Sequence, residues 1–306
     1  MLYLLIMGCT ASGKGKLAFE LAQRLAGEIL SIDSMKVYRR MDIGTAKPDI
    51  ENRKAIKHYL VDVCEPYESF SLGRYVELAD EAIAKMQSRN CPVIAVGGTA
   101  MYIRGLLEGI FDGPGADPEI RAKLKREASE FGLEVLHKRL AEIDLAAAQR
   151  IHPNDGKRII RALEVYELTG KAVTSLQQQF KSGKYRQDWK LVGIRRDKED
   201  GNHRINMRVK NMIEKGLVRE VEGLLAEERG MSPQAAQGVG YAEVIEHLNG
   251  KMNLEDTIEK IKINTRRFAK SQRTWFRSFE GVNWIDVTSE TTVTSVADRV
   301  MESLGL

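Results

Sequence analysis

The run Gly8-Cys9-Thr10-Ala11-Ser12-Gly13-Lys14 has GxxxxGK spacing, the pattern of a loop that grips phosphate. It follows a short apolar run at residues 2–7 and precedes a helical stretch at residues 16–25, the context such a loop needs. Glycines at both ends let successive N–H groups point inward, while the helix N-terminus and the Lys14 ammonium favour an anion. A Ser or Thr normally follows the lysine and places its hydroxyl on Mg²⁺; here Gly15 stands there. The chemistry expected is phosphate or pyrophosphate binding, against the plainer alternative of a Gly-rich strand-to-helix turn.

Asp33 closes the apolar run at residues 28–32, so a carboxylate should emerge beside the phosphate loop, where it either holds Mg²⁺, directly or through water, or takes a proton from an attacking group. A turn-capping Asp is the competing reading. Residues 37–48 then form a long polar connection, and long ordered loops are often functional. Gly97-Gly98-Thr99 ends another strand-like run, which points Thr99 at the same edge unless it caps the following helix. Arg204 and Arg208 lie one helical turn apart, which suits a forked grip on phosphate oxygens. Lys157, Arg158 and Arg161 share a helix, the first and last on one face. Between residues 257 and 277 there are seven Lys/Arg and one acid, and Lys262, Arg266, Lys270, Arg273 and Arg277 form a stripe suited to a polyanion backbone. Ile258, Ile261, Phe268 and Trp275 fit the core-facing side of that helix.

These residues need a scaffold. Strand-like runs at residues 2–7, 28–32, 58–63, 92–96, 191–194 and 282–285 alternate with helical patterns, which predicts an α/β fold with a parallel sheet flanked by helices. Residues 111–186 break that rhythm with Gly113-Pro114-Gly115, several helices and a polar segment at residues 177–187, and read as an inserted all-helical domain. The expected division is residues 1–110 as the first part of the core, 111–186 as the insertion, and 187–306 as the second part. The last part carries helices near residues 203–225, 237–248 and 254–276.

With 306 residues, 43% hydrophobic and 29% charged, the chain can bury a full core, and its net charge of +4 permits nucleic acid without demanding it. No run approaches the roughly 20 apolar residues of a membrane helix, and residues 1–7 lead into the loop and not into a cleavage site, so a cytoplasmic protein without membrane association is expected. Cys9, Cys64 and Cys91 show no CxxC pairing, which argues against zinc or disulfides and for small buried residues.

Assembled, these motifs resemble the bacterial tRNA dimethylallyltransferases, the IPP transferase family. The resemblance spans nearly the whole chain. It is carried by residues 8–14, by Asp33-Ser34 with the run 42–48, by 96–99, 150–155 and 157–164, by Val239-Gly240-Tyr241, and by 266–270 with Trp275-Phe276-Arg277. It implies a core related to P-loop NTPases and transfer of the dimethylallyl group of dimethylallyl diphosphate to N6 of the adenosine 3′ of the anticodon, in tRNAs reading codons that begin with U. Mg²⁺ takes part, diphosphate leaves, and no nucleoside triphosphate is hydrolysed. Gly8, Thr10, Ala11, Ser12, Gly13, Lys14 and Gly15 would hold the diphosphate, with Arg204 or Arg208 adding a cation, and Asp33 would accept the amine proton. Asp33, Ser34, Met35, Lys36, Thr99, Arg121, Lys157, Arg158, Arg161, Gln237, Gly240, Tyr241, Lys270, Arg273 and Arg277 fall where the family contacts the anticodon stem-loop of tRNA. A monomer is expected.

The chain departs from the family at four places: members usually carry Pro where Cys9 stands, Ser or Thr at Gly15, Gly-Leu at Ala100-Met101, and Arg at Ser271. The competing readings are an adenylate isopentenyltransferase acting on AMP or ATP, a P-loop small-molecule kinase, and an RNA-binding descendant without catalysis. A helical insertion and a basic helix are more than a free adenylate requires, which weighs against the first.

Overall fold

The computed structural model of the protein describes residues 1–110, 113–176 and 185–305. Strands β1 (Tyr3–Gly8), β2 (Glu28–Ile32), β3 (His58–Tyr59), β4 (Val93–Gly97), β5 (Trp189–Arg196) and β6 (Asn283–Val287) form one parallel sheet in the order β3-β2-β4-β1-β5-β6. Helices α1 (Lys14–Arg24), α2 (Ile50–Ala55), α3 (Leu72–Gln87) and α4 (Ala100–Glu108) accompany the first four strands. Helices α5 (Pro118–Phe131), α6 (Leu133–Ile143), α7 (Leu145–Arg150), α8 (Gly156–Thr169) and α9 (Val173–Leu176) come next. Then follow α10 (Lys198–Glu214), α11 (Leu217–Ala226), α12 (Pro233–Ala236), α13 (Tyr241–Leu248), α14 (Leu254–Phe276) and α15 (Val293–Leu304).

The chain divides into two compact units, Met1–Leu107 with Tyr185–Leu306, and Glu108–Lys184. In the first, β1 and β4 read as near-continuous apolar runs because both sheet faces are covered. Alternation along β1 sends Leu5 and Met7 into a core with α3, α4, α10, α13 and α14, and Leu4 and Ile6 into a second core with α1 and α15. In β1–β4 pairing Met7 lies opposite Gly97, and in β2–β4 pairing Ile32 does, so the ends of β1, β2 and β4 are level at one edge. That edge carries residues 9–13, Asp33 and Thr99, the position where open α/β sheets bind ligands.

The helical unit has its own core of Leu124, Leu136, Leu140, Ile159 and Leu163. Asp117, Asp144 and Asp155 cap α5, α7 and α8, each accepting backbone N–H groups of the first turn. Glu164, fully buried, accepts the Asp117 N–H at 2.8 Å and pairs with Arg121 at 2.8 Å and Arg161 at 2.7 Å. Burial alone would raise its pKa, but the two guanidiniums and that N–H hold it below the usual carboxylate range.

Several sequence expectations need correction. The strand at residues 58–63 stops at Tyr59, because Leu60 and Asp62 take left-handed φ of 61° and 57°. The helix near 203–225 is two, α10 and α11, broken at Gly216 with φ 97°. Phe268 does not face the core: it is 45% exposed, and the buried face of α14 is Thr257, Ile261, Ala269, Gln272 and Phe276. Only Cys64 is buried, Cys9 and Cys91 being half-buried. The polar segment at 177–187 lies mostly outside the described residues.

Candidate functional site

Residues 9–13 turn sharply between β1 and α1, with Ala11 at φ 61° and Gly13 at φ 97°. The left-handed alanine costs on the order of 1 kcal/mol, strain of the kind that collects at ligand sites. Cations bind the loop's carbonyls: Lys14 Nζ donates to Cys9 O at 3.0 Å, Arg204 Nε to Ala11 O at 2.9 Å, and Arg196 Nε to Ser12 O at 3.0 Å. The Thr10, Ser12 and Lys14 N–H groups are used within the protein, by Gln272 Oε1, Cys9 O and Ser12 Oγ, and the others stay open to a ligand. Among the described residues the N–H groups of Ala11, Gly13, Gly15 and Lys16 donate to nothing, an arrangement that suits anionic oxygens. Gly8 is required for closeness, since a Cβ there would stand 2.8 Å from Ser12 Oγ and 3.1 Å from Ile194 O.

Asp33 follows β2. Its Oδ1 accepts the N–H groups of Met35 at 2.9 Å and Lys36 at 3.2 Å, which fixes the turn, while Oδ2 accepts no hydrogen bond among the described residues. Around it stand Lys14, Lys36 and Arg208, none in an ion pair among the described residues. Burial pushes the Lys14 ammonium down to about 8, helped by Lys36 and Arg208 and opposed by Asp33. Burial likewise lowers Lys36 and Arg208, with Asp33 again working the other way. Three desolvated cations against one carboxylate leave a positive field that an anion would relieve.

Thr99 does not cap α4 through its hydroxyl. Its Oγ1 accepts the Ser34 N–H at 3.1 Å and so ties the end of β4 to the turn carrying Asp33. Arg204 and Arg208 are both at the site, but they do not share one target: Arg204 holds the loop carbonyl, and Arg208 lies beside Asp33 with Nη2 3.4 Å from Thr45 O. A cavity of about 230 Å³ adjoins the loop. Cys9, Ala11, Ile205, Phe276 and Trp284 supply apolar walls, and Arg195, Arg196, Arg273 and Arg277 outnumber the one acid, Asp197, which suits a ligand anionic at one end and hydrocarbon at the other.

The connection at residues 37–48 is ordered by Glu220, which accepts the N–H groups of Asp42, Ile43 and Gly44 at 3.0, 2.7 and 3.2 Å. Tyr241 donates its hydroxyl to the same carboxylate at 2.6 Å and lies 1% exposed under Gly44. Tyr241 thus supports the loop, and its ring is not presented to solvent. Gly240, at φ 97°, starts α13 in a conformation that favours glycine. Gln237, Lys270, Ser271, Arg273 and Arg277 are exposed, whereas Arg266 is half-buried and donates to Asn206 at 3.3 Å. In the helical unit Lys157 and Arg158 are exposed, and Arg161 also donates to Pro114 O at 2.7 Å.

Arg196, Glu220, Glu164 and Gln272 were not foreseen from sequence. Glu164 lies in the run 157–164 and Gln272 in the basic helix, but the contact that gives each of the four its role reaches a segment distant in sequence.

A divalent metal has few protein ligands here: no cluster of three His, Cys, Asp or Glu exists among the described residues. Asp33, with one oxygen free, fits the mode in which Mg²⁺ is held by one carboxylate and the ligand's own phosphates.

The family model described as IPP transferase matches residues 36–279. A tRNA dimethylallyltransferase of Acetivibrio thermocellus is 48% identical over 92% of this chain and 91% of its own length. One of Geobacter metallireducens is 45% identical with the same coverage. The crystal structure of a tRNA isopentenylpyrophosphate transferase from Bacillus halodurans superposes with TM-score 0.71 at 36% identity, covering 99% of this chain and 97% of that one. A eukaryotic dimethylallyltransferase, described as acting on tRNA, gives TM-score 0.84 at 27% identity over 98% of this chain and 77% of that one.

Proposed function

This chain belongs to the IPP transferase family, and from that premise we propose that it is a tRNA dimethylallyltransferase moving the dimethylallyl group of dimethylallyl diphosphate to N6 of the adenosine 3′ of the anticodon, in tRNAs reading codons that begin with U. The observation that carries the site assignment is the uncompensated cradle: four unpartnered amides, two in the loop and two in the first turn of α1, and three desolvated cations next to Asp33.

In the proposed reaction the adenine amine attacks the allylic carbon, the carbon–oxygen bond to diphosphate breaks, and both bonding electrons leave with the diphosphate. The Asp33 carboxylate takes the amine proton through its free Oδ2. Charge accumulates on the leaving group, so Lys14, the loop amides and Arg208 supply the main stabilisation. Arg204 keeps the loop carbonyl turned away. Mg²⁺, held by the diphosphate and reaching Asp33 only through water, would neutralise part of that charge when bound. The adenine must leave its stack to bring N6 to the carboxylate.

For tRNA we assign the backbone grip to exposed cations, Lys270, Arg273 and Arg277 on and just after α14 and Lys157 and Arg158 on the inserted helical domain, which clasps the anticodon stem; Arg161 and Arg121, half-buried and paired with Glu164, would add their outer N–H groups. Ser34, Met35, Lys36, Thr99, Gln237 and Gly240 flank the acceptor. The protein acts as a monomer in the cytoplasm.

The test offers purified protein dimethylallyl diphosphate and Mg²⁺ with either unmodified tRNA or AMP, and analyses nucleosides by mass spectrometry. Prenylated tRNA adenosine is expected. Prenylated AMP alone would favour an adenylate isopentenyltransferase, and ATP turnover without prenyl transfer would favour a kinase.

Two variants probe the departures and the basic helix. A Cβ on Gly15 would meet nothing within 4 Å, so Gly15→Thr fits and restores a hydroxyl at the cradle. Its dissociation constant for inorganic diphosphate with Mg²⁺ should tighten by about 1 to 3 kcal/mol; an unchanged constant would show that the site already compensates. Lys270→Ala with Arg277→Ala should weaken tRNA binding, lowering the slope of log affinity against log salt by about 1 for each residue while kcat at saturating tRNA holds. An unaltered salt slope would remove α14 from the RNA interface.

A further inference from the structure

Gln272 lies in the most basic stretch of the chain, yet only 5% of it is exposed. Its Oε1 accepts the Thr10 N–H at 2.8 Å, and its Nε2 donates to the Gly98 carbonyl at 2.9 Å. A buried amide with both ends satisfied is a rigid crossbar. A Cβ on Gly98 would overlap Nε2, so glycine at that position is what lets the amide in. The next residue, Thr99, receives the Ser34 N–H beside Asp33. Three segments, the phosphate loop, the end of β4 and the turn bearing Asp33, are thereby linked through one side chain of α14.

The Thr10 amide is consumed in this link. A loop that only had to bind phosphate would gain by offering that N–H as well. Committing it to Gln272 instead pins the start of the loop, so that the free amides from Ala11 onward keep one direction before a ligand arrives. Preorganised donors cost no rearrangement when charge develops on the ligand.

We propose that Gln272 is a positioning residue: acting through Thr10 and Gly98, it sets the phosphate loop in register with Asp33 while touching neither prenyl donor nor RNA. This rests on the reading of the loop as the diphosphate site. Gln272→Met keeps length and packing and removes both hydrogen bonds. The KM for dimethylallyl diphosphate and the inhibition constant of inorganic diphosphate should rise together by about tenfold, with the KM for tRNA within about twofold of the parent. A folded variant with both diphosphate constants unchanged, and only its melting temperature lowered, overturns the proposal. If Gln272→Met does not fold, amide exchange of the unaltered protein decides. Thr10 should be protected before inorganic diphosphate is added and unaffected by it, whereas Gly13 and Gly15 gain protection only on addition. A Thr10 amide that exchanges freely until diphosphate arrives contradicts the proposal. Failure of the parent protein to bind diphosphate at all would instead remove the loop assignment, independently of Gln272.

Discussion

Asp33→Asn should lower kcat for prenyl transfer by roughly 10²- to 10⁴-fold, the range spanned by general bases, without weakening donor binding. The asparagine oxygen can still accept the Met35 and Lys36 N–H groups that hold the turn, so the geometry should survive. The carboxylate faces Lys14, Lys36 and Arg208, and its removal leaves that field more positive. Donor affinity should therefore hold or tighten while turnover collapses. Single-turnover kinetics with a separate donor titration measure the two effects. A fall in donor affinity matching the fall in rate would make Asp33 a metal ligand first and a base second.

Lys14→Met should reduce kcat/KM for the donor by about 10²- to 10³-fold, the scale for removing one preorganised donor from developing charge. The parent protein should also lose donor affinity as pH rises through about 8, where Lys14 sheds its proton. The sign follows from charge: below that pH the ammonium attracts diphosphate, and above it the neutral amine does not. Binding above pH 8 should accordingly take up a proton. Because the folded-state pKa lies below the ordinary lysine value of 10.5, the unfolded chain binds more protons between about 8 and 10.5, and this group alone makes the donor-free protein more stable as pH rises across that window. Lys14→Met should erase the descending limb of the donor pH profile, and a limb that persists would assign it elsewhere.

Much of this was legible in the chain because local pattern and tertiary role agree. Residues 28–32 and the run ending at Gly97 read as strands since their apolar side chains are covered on both faces, and the loop between β1 and α1 announces itself by glycine spacing. The acid at a strand end needed no partner to be recognised, because strand order places it.

What failed to show in the sequence depends on partners distant along the chain. Glu220 looks like a surface acid on α11, yet it binds three consecutive amides of the connection that begins after β2. Gln272 looks like one more polar residue in a basic helix, and Phe268 looks like core. The true phase of α14 is set by Ala269, Gln272 and Phe276, and a buried glutamine is invisible to a hydrophobicity pattern. Tyr241 belongs to a recognisable motif, but its hydroxyl reaches Glu220, a support role that the motif alone does not specify.

The central claim is that the donor's diphosphate sits in the loop after β1 with its allylic carbon toward Asp33. A crystal structure with a non-transferable analogue of dimethylallyl diphosphate tests it most directly. The phosphate oxygens should lie on the Gly13 and Gly15 amides and the Lys14 ammonium, with the first carbon turned to the free carboxylate oxygen. An analogue seated away from this loop, or one whose hydrocarbon end points away from Asp33, would contradict the account.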